Sequence, residues 1–506
     1  MNQGKICVSI CGKTVAEVLG RIEQARDLAD VIEVRFDYLL PEEIDPLLEI
    51  LATRPEQLII TFRPEHQGGA RSLSRDERIA FWNKVAVRLS AETLVDLECD
   101  MDFTVNIESD RIIGSAHRFD DRPTDPSQYF EHYFDELLQF SSGARKLAVA
   151  VNDASDAVDV WKLLIESGQP AIAIGMGEAG KWTRILALAY GAFLTYASLD
   201  STDVVAPGQI SAAELRDVFR VKEIDARTHV YAVLAGNTSY SLSPYMQNAA
   251  FRQADVDAVF VPMQVGNLDA FIRRMVNGAT REIELHFKGF SVTNPHKQSI
   301  IRHLDHIDET ARKIGAVNTV KIDHGKRIGY NTDAVGFITP LSNIFDDLRG
   351  SRATVVGAGG AARACVYALK KAGADVTILA RDSAKGSAMA EEFDVRFERL
   401  TTGHQHLSTD ILVNATPLGT TGEHEQKSIA SANELAGLQL VYDLVYNPAE
   451  TKLIKEARAA GVKTLGGLDM LIAQGARQFE IWTGGVAPVD EMRAAVEQRL
   501  KQSYAA

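Results

Sequence analysis

The sequence predicts an α/β protein in two successive parts: a (β/α)8 TIM barrel, then a two-lobed α/β module containing a Rossmann nucleotide domain. Two observations carry this. Eight short β-branched runs alternate with helix-like stretches over the first part of the 506-residue chain. Far downstream, a strand-like run enters a helix-like run through the glycine-rich turn Gly357-Ala358-Gly359-Gly360-Ala361-Ala362.

The eight runs are ICVSI (6–10), VIEVRF (31–36), LIITFR (58–63), TLVDLEC (93–99), RIIGSAH (111–117), KLAVAV (146–151), AIAIGM (171–176) and FLTYAS (193–198). Stretches such as TVAEVLGRIEQARDLA and DERIAFWNKVAVRLS lie between them, with apolar residues at helical spacing. Eight β–α units in one stretch are the pattern of a closed barrel, with a doubly wound sheet as the alternative. A last helix-like segment, 211–224, completes the eighth unit, and a new strand, VYAVLAG (230–236), follows a joint without glycine or proline. The boundary falls near residue 225, and the short joint holds the two parts close.

Charge inside the runs marks a site. Glu33 and Arg35 are two apart and share one strand face. Arg63 ends the third run, Glu98 lies near the end of the fourth, and His117 ends the fifth. The C-terminal ends of barrel strands form the active-site face, and an interior charge is costly unless paired or functional. Each residue alone reads as a structural ion pair; the set reads as a catalytic ring. Lys146 opens its run, so it reads as a surface lysine unless the strand begins earlier.

Composition narrows the partners. The chain is 46% hydrophobic and 24% charged with a net charge of −14, which supports large cores and disfavours nucleic acid or an anionic membrane as partner. Small anionic substrates remain compatible through local arginines. Cys7, Cys11, Cys99 and Cys365 match no zinc or disulfide spacing and read as small buried hydrophobes in a reducing compartment. The start of the chain has neither a basic–apolar leader nor an arginine-rich one, so a cytoplasmic location is expected, a plastid one only if a transit segment has been removed.

In the second part, the pattern G-x-G-x-x-A stands between a strand and a helix, the context in which its glycines admit a pyrophosphate to the helix N-terminus. The following strand, DVTILAR (375–381), ends in Arg381 with Lys385 one turn on, rather than in an acid. Cations there favour a 2′-phosphate, hence NADP(H), although Asp382 opposes it.

The first part resembles type I 3-dehydroquinate dehydratases through EVRFD (33–37), TFRPEHQGG (61–69), DLE (96–98), IIGSAH (112–117), RKLAVAV (145–151), TR (183–184) and APGQI (206–210). The resemblance implies that Lys146 forms an imine with the substrate ketone, that His117 is the general acid/base, and that Glu98 orients His117. It implies Glu33, Arg35, Arg63, Arg184 and Gln209 as substrate binders. The chemistry needs a neutral amine, an electron-sink iminium and a base beside it. Three positions depart from the family: Ala116 and Arg118 flank the histidine, and Val205 stands where a small hydroxyl residue usually precedes APGQI.

The second part resembles shikimate dehydrogenases across 228–506 through LAGNTSYSLSPYMQN (234–248), GFSVTNPHK (289–297), IGAVNTV (314–320), GYNTDAVG (329–336), the glycine turn, NATPLG (414–419), YDLVYNPAET (442–451) and GGLDMLIAQGARQFEIWTG (466–484). The resemblance implies Ser241 and Ser243 as carboxylate binders and Thr293, Asn318, Tyr446 and Gln474 as ring-hydroxyl binders. Lys297 and Asp333 are implied as the catalytic pair. Gly357, Ala358, Gly359, Gly360, Ala361, Arg381, Lys385, Thr416 and Gly467 are implied around NADP(H), with no metal. It implies a substrate domain at 225–340, a nucleotide domain at 341–465 and a return of 466–506 to the substrate domain, after a barrel of 1–224. The expected function is dehydration of 3-dehydroquinate followed by reduction of 3-dehydroshikimate. An NAD-linked or quinate-directed dehydrogenase, a non-catalytic regulatory barrel and a lysine aldolase are the rival readings.

Overall fold

The computed structural model describes residues 2–90, 92–101, 103–119, 135–200, 205–400 and 408–505. Eight parallel strands come first: β1 (Lys5–Cys11), β2 (Val31–Arg35), β3 (Leu58–Thr61), β4 (Leu94–Glu98), β5 (Ile112–Arg118), β6 (Ala144–Ala150), β7 (Ala171–Met176) and β8 (Leu194–Ala197). Their order is β7-β6-β5-β4-β3-β2-β1-β8, and Phe193 N donates to Ala171 O at 2.9 Å, bringing the start of β8 back to β7. This is a near-closed TIM-like barrel, not a doubly wound sheet.

The strand period places Glu33, Arg35, Asp96, Ser115, His117, Lys146 and Tyr196 on inward positions, in the same parity as the interior cluster Cys7, Val31, Ile113, Ala144, Ala148, Ile172 and Leu194. The sixth strand begins at Ala144, two residues before Lys146. Lys146 is therefore a mid-strand residue, 4% exposed, opposite Ser115 on β5. Helices such as Val15–Ala25, capped by Thr14, and Arg75–Arg88, closed by a Ser74/Glu77 capping box, bury their apolar stripes on the outer face of the strands.

Two six-stranded sheets follow. The first, β9 (His229–Ala235), β10 (Ala258–Gln264), β11 (Phe287–Val292), β12 (His306–Ile307), β13 (Thr319–Asp323) and β14 (Lys326–Tyr330), runs β10-β9-β11-β13-β14-β12 and is mixed. The second is wholly parallel: β15 (Arg352–Val356), β16 (Asp375–Ala380), β17 (Arg396–Arg399), β18 (Ile411–Asn414), β19 (Leu440–Asp443) and β20 (Lys463–Leu465), in the order β17-β16-β15-β18-β19-β20. Its order reverses between β15, which feeds the glycine turn, and β18, the site where doubly wound sheets bind ligands. Helices Gly467–Thr483 and Val489–Ala505 leave this sheet, the first packing on helix Asp333–Ser342 and the second on helix Ser243–Gln253.

Barrel and module meet at several points, among them Tyr245 Oη to Glu214 at 2.6 Å and Lys162 Nζ to Glu282 at 2.8 Å, and one contact gathers several bonds on a single side chain. Asp153, in the loop after β6, accepts from Ser155 N and Oγ through Oδ1, and from Gly266 N (2.6 Å) and Asn267 N (2.8 Å) of the module through Oδ2. Arg274 reinforces it, reaching Asp159 and Ser155 O across the joint. Replacing Asp153 by alanine removes a charged acceptor shared by four donors, of which Gly266 N and Asn267 N can turn to solvent, so it is expected to lower unfolding free energy by about 1–3 kcal/mol. Urea unfolding with an unshifted midpoint would contradict this.

Candidate active sites

A cavity of about 180 Å³ opens at the C-terminal end of the barrel. Glu33, Arg35, Arg63, His117, Lys146, Arg184 and Gln209 all line it. Lys146 Nζ lies 2.8 Å from Asp96 Oδ2 and 3.9 Å from Glu33 Oε1. Asp96 also receives Arg63 at 2.9 Å and the Ser115 hydroxyl at 2.5 Å. Arg63 and Lys146 hold the Asp96 carboxyl far below the usual range, against its burial. Glu33 accepts from Thr61 Oγ1 at 2.8 Å.

His117 is held differently from expectation. Arg63 Nη1 contacts its ring nitrogens, with Nε2 at 2.6 Å, and Gln67 Oε1 accepts from its backbone N at 2.9 Å. Burial, with Arg63 and Lys146 beside it, pushes the imidazole well below its usual value, so the ring is neutral. Glu98 makes no hydrogen bond to His117 among the described residues. Its Oε2 accepts from Arg78 at 2.8 Å, it does not line the cavity, and burial pushes its carboxyl up to about 7. The expected Glu98–His117 pair is thus absent, because the outer helix Arg75–Arg88 supplies Glu98 with a cation.

The three arginines are not equivalent. Arg35 is engaged in two bonds to Asp37, at 2.9 and 2.8 Å, and Arg63 is paired with Asp96. Arg184 is 2% exposed, bonds Tyr196 O at 3.4 Å and has no carboxylate partner among the described residues. Burial lowers its guanidinium to about 10. A desolvated cation without a counter-ion is a ready place for an anionic ligand. Val205 also lines the cavity, and Gln209 Oε1 accepts from Val205 N and Ala206 N, which leaves the amide NH2 free to donate.

The second cavity, about 290 Å³, lies between the two sheets of the module. Ser241, Ser243, Thr293, Lys297, Asn318, Asp333, Tyr446 and Gln474 line it, together with Ala361, Thr416 and Gly467. Lys297 Nζ lies 2.5 Å from Asp333 Oδ2. Asn318 Nδ2 donates to Asp333 Oδ1 at 2.8 Å, and its Oδ1 accepts from Thr332 N at 2.8 Å. The lysine, carboxylate and amide are therefore one fixed unit. His296 is packed away, its Nε2 2.6 Å from Val265 O.

The glycine turn fits a nucleotide. Gly357 has φ +123°, and a Cβ there would stand 2.9 Å from Ala415 O. Gly359 caps helix Gly360–Lys371 with no side chain, leaving its N–H groups open. Gly357, Ala358, Gly359 and Gly360 lie beside the cavity rather than on its wall, and a Cβ on Gly360 would meet Lys297 Cδ at 2.9 Å. Arg381 and Lys385 are exposed beyond the end of β16. Asp382 is engaged as the cap of helix Ser383–Phe393, accepting from Lys385 N at 3.1 Å.

Asp96, Gln67 and Tyr196 belong to the first site although the sequence reading gave them no role. Asp96 had a signal, since it sits two residues before Glu98 on one strand. Among the described residues no cluster of three metal-ligating side chains occurs, and no helix is long and apolar enough to cross a membrane.

Comparison with known proteins agrees with both halves. Residues 6–226 match type I 3-dehydroquinase; 233–320 match the shikimate dehydrogenase substrate binding domain; 341–444 match shikimate/quinate 5-dehydrogenase; and 467–497 match the shikimate 5'-dehydrogenase C-terminal domain. A solved shikimate dehydrogenase in complex with NADP+ shares 38% identity with a TM-score of 0.51, over 55% of this chain and 97% of that one. The NADP(+) shikimate dehydrogenase of Methanothermobacter thermautotrophicus is 38% identical over 55% of this chain and 99% of its own length. The chloroplastic bifunctional enzyme of Arabidopsis thaliana is 31% identical over 96% of this chain and 83% of its own. With both cavities and this end-to-end likeness, the chain belongs to the bifunctional 3-dehydroquinate dehydratase/shikimate dehydrogenase family.

Proposed function

We propose that the barrel dehydrates 3-dehydroquinate through an imine on Lys146, and that the module reduces the resulting 3-dehydroshikimate to shikimate with NADPH. The observation that carries the first half is a buried lysine sharing one cavity with a neutral histidine and an arginine that has no carboxylate partner among the described residues. Lys146 Nζ attacks the ketone carbon, and the carbonyl oxygen leaves as water. The iminium draws electrons from the adjacent C–H bond while His117 takes the proton. The hydroxyl on the next carbon then departs, taking that proton, and water releases the product from the lysine. Asp96 and Glu33 hold the nitrogen's positive charge. Arg63 and Arg35 face the ring hydroxyls, Gln209 donates from the lid side, and Arg184 takes the carboxylate.

Arg184→Ala is expected to raise KM for dehydroquinate about 10–150-fold, the worth of a charge-assisted hydrogen bond, with a smaller effect on kcat. An unchanged KM would move the carboxylate elsewhere.

In the second site Ser241 and Ser243 accommodate the carboxylate, and Thr293, Asn318, Tyr446 and Gln474 the ring hydroxyls. Lys297, oriented by Asp333, donates to the carbonyl oxygen and supplies its proton. Gly357 to Ala361, Thr416 and Gly467 would hold NADPH, which supplies the hydride when bound. Arg381 and Lys385 would meet its 2′-phosphate, with Asp382 engaged as a helix cap. Arg381→Ala is expected to raise KM for NADPH about 10-fold or more while leaving NADH little changed; equal effects on both would exclude the phosphate contact.

We take the units as 1–224, 225–340, 341–465 and 466–506, in keeping with the sheet boundaries. Among the described residues the four cysteines form no disulfide, which suits a reducing compartment, and we place the protein in the cytoplasm. The whole reading is tested by supplying dehydroquinate and NADPH together. One NADPH consumed per dehydroquinate supports it; consumption only when dehydroshikimate is supplied would reduce the barrel to a binding domain.

A further inference from the structure

The floor of the barrel cavity holds a group with no role so far. Tyr196 stands on β8 opposite Cys7 of β1, is 3% exposed, and lines the cavity. Lys146 Nζ sits over its ring, 3.9 Å from the centroid. The Tyr196 hydroxyl has no hydrogen-bond partner among the described residues, so the ring's place is not set by its oxygen. Burial, with Glu33 and Asp96 nearby, pushes the phenol well above its usual value, so the ring stays neutral. What the ring offers the lysine is its face, and a desolvated aromatic face attracts a cation.

Resting on the imine reading above, we propose that Tyr196 is a further catalytic residue of the dehydratase, whose π face stabilises the positive charge on the Lys146 nitrogen when that nitrogen becomes the substrate iminium. When the amine adds to the ketone and water departs, the nitrogen keeps one hydrogen and gains a bond to carbon. Its charge is then spread over nitrogen and carbon. Asp96 and Glu33 approach from the β4 and β2 strands and the ring from β8, so the cation lies between two carboxylates and an aromatic plate. Withdrawal of a proton by His117 turns the iminium into a neutral enamine. The ring therefore favours the formation and accumulation of the iminium more than the turnover that follows, and the test must read the iminium itself.

The test uses the full chain, 3-dehydroquinate and borohydride, and reads the substrate concentration that half-saturates labelling of Lys146. Residue 196 is varied from tyrosine to phenylalanine, then to mono-, di- and trifluorinated phenylalanines, which drain the ring face of electron density with little change of shape. Tyr196→Phe is expected to stay within about 2-fold of the wild type, and the half-saturating concentration to climb steadily with fluorination, reaching about 3–30-fold, the range a cation–π contact spans. A flat series would overturn the proposal and leave the ring as a space-filling floor. A large loss in Tyr196→Phe itself would also overturn it, by moving the role to the hydroxyl. If wild-type protein gives no label on Lys146 at all, the imine reading fails and the proposal falls with it; labelling that is insensitive to fluorine sinks the proposal alone.

Discussion

Replacing Lys146 by alanine should lower dehydratase kcat by at least about 10⁴-fold, as loss of a covalent nucleophile does, while reduction of supplied 3-dehydroshikimate continues. The separation is expected because, among the described residues, none lines both cavities. The fold should survive, since Asp96 keeps Arg63 as a cation and Glu33 keeps the Thr61 hydroxyl after the amine is gone. Mass spectrometry after borohydride reduction supplies the positive control: an adduct on Lys146 in wild type and none in the variant. Residual dehydration near the wild-type rate would end the imine mechanism. The same assay carries a pH signature. Burial, Arg63 and Lys146 depress the His117 imidazole below 6.5, which means that the neutral base persists as pH falls through that value. The acid limb of dehydratase kcat/KM should therefore lie below 6.5. Neutralising a neighbour, as in Arg63→Gln, should shift that limb upward.

Why these residues were readable, and others not, follows from the kind of contact each makes. Glu33, Arg35, Arg63, His117 and Lys146 are ionisable residues in or at the end of apolar sequence runs, and local sequence displays such an anomaly directly. Lys146 looked like a strand opener only because Ala144 and Arg145 precede the apolar run. Arg145 faces the other way and spends its guanidinium on the carbonyls of Leu137 and Ser167, so it hides the strand's true start. Glu98 is paired with His117 by the resemblance. Its actual partner, Arg78, comes from a helix, and no spacing rule links residues paired only by tertiary packing. Asp96 escaped for the opposite reason, being one acid among two in DLE, and only three-dimensional placement shows which one meets the lysine. Tyr196 reads as an ordinary β-strand aromatic until the lysine is seen above it. The joint through Asp153 is invisible for the same cause: its partners are backbone N–H groups more than a hundred residues away.

The second cavity makes its own demand on a lysine. In Lys297→Ala, reduction of 3-dehydroshikimate should fall by about 10²–10⁴-fold in kcat, the span of a lost general acid, with the dehydratase unaffected. Asp333 and Asn318 make this a test of proton supply rather than of packing. Asp333 keeps its hydrogen bond from Asn318 when the ammonium is removed, and Asn318 keeps those that tie it to Thr332, so the wall of the site remains standing. Substrate binding should change little, because Ser241, Ser243 and Gln474 are untouched. Asp333→Asn should be milder, since it leaves the ammonium in place but frees its orientation. A proton-inventory or pH-rate comparison separates the two variants: loss of the ammonium removes the proton donor, whereas loss of the carboxylate only loosens it. If instead Lys297→Ala raised KM and spared kcat, the lysine would be a binding group and the proton would have to come from elsewhere. The stem of Lys297 adds a steric corollary. A methyl on Gly360 would press 2.9 Å from its Cδ, so Gly360→Ala should depress kcat without altering the charge of the site, by turning the same amine away from the oxygen it serves.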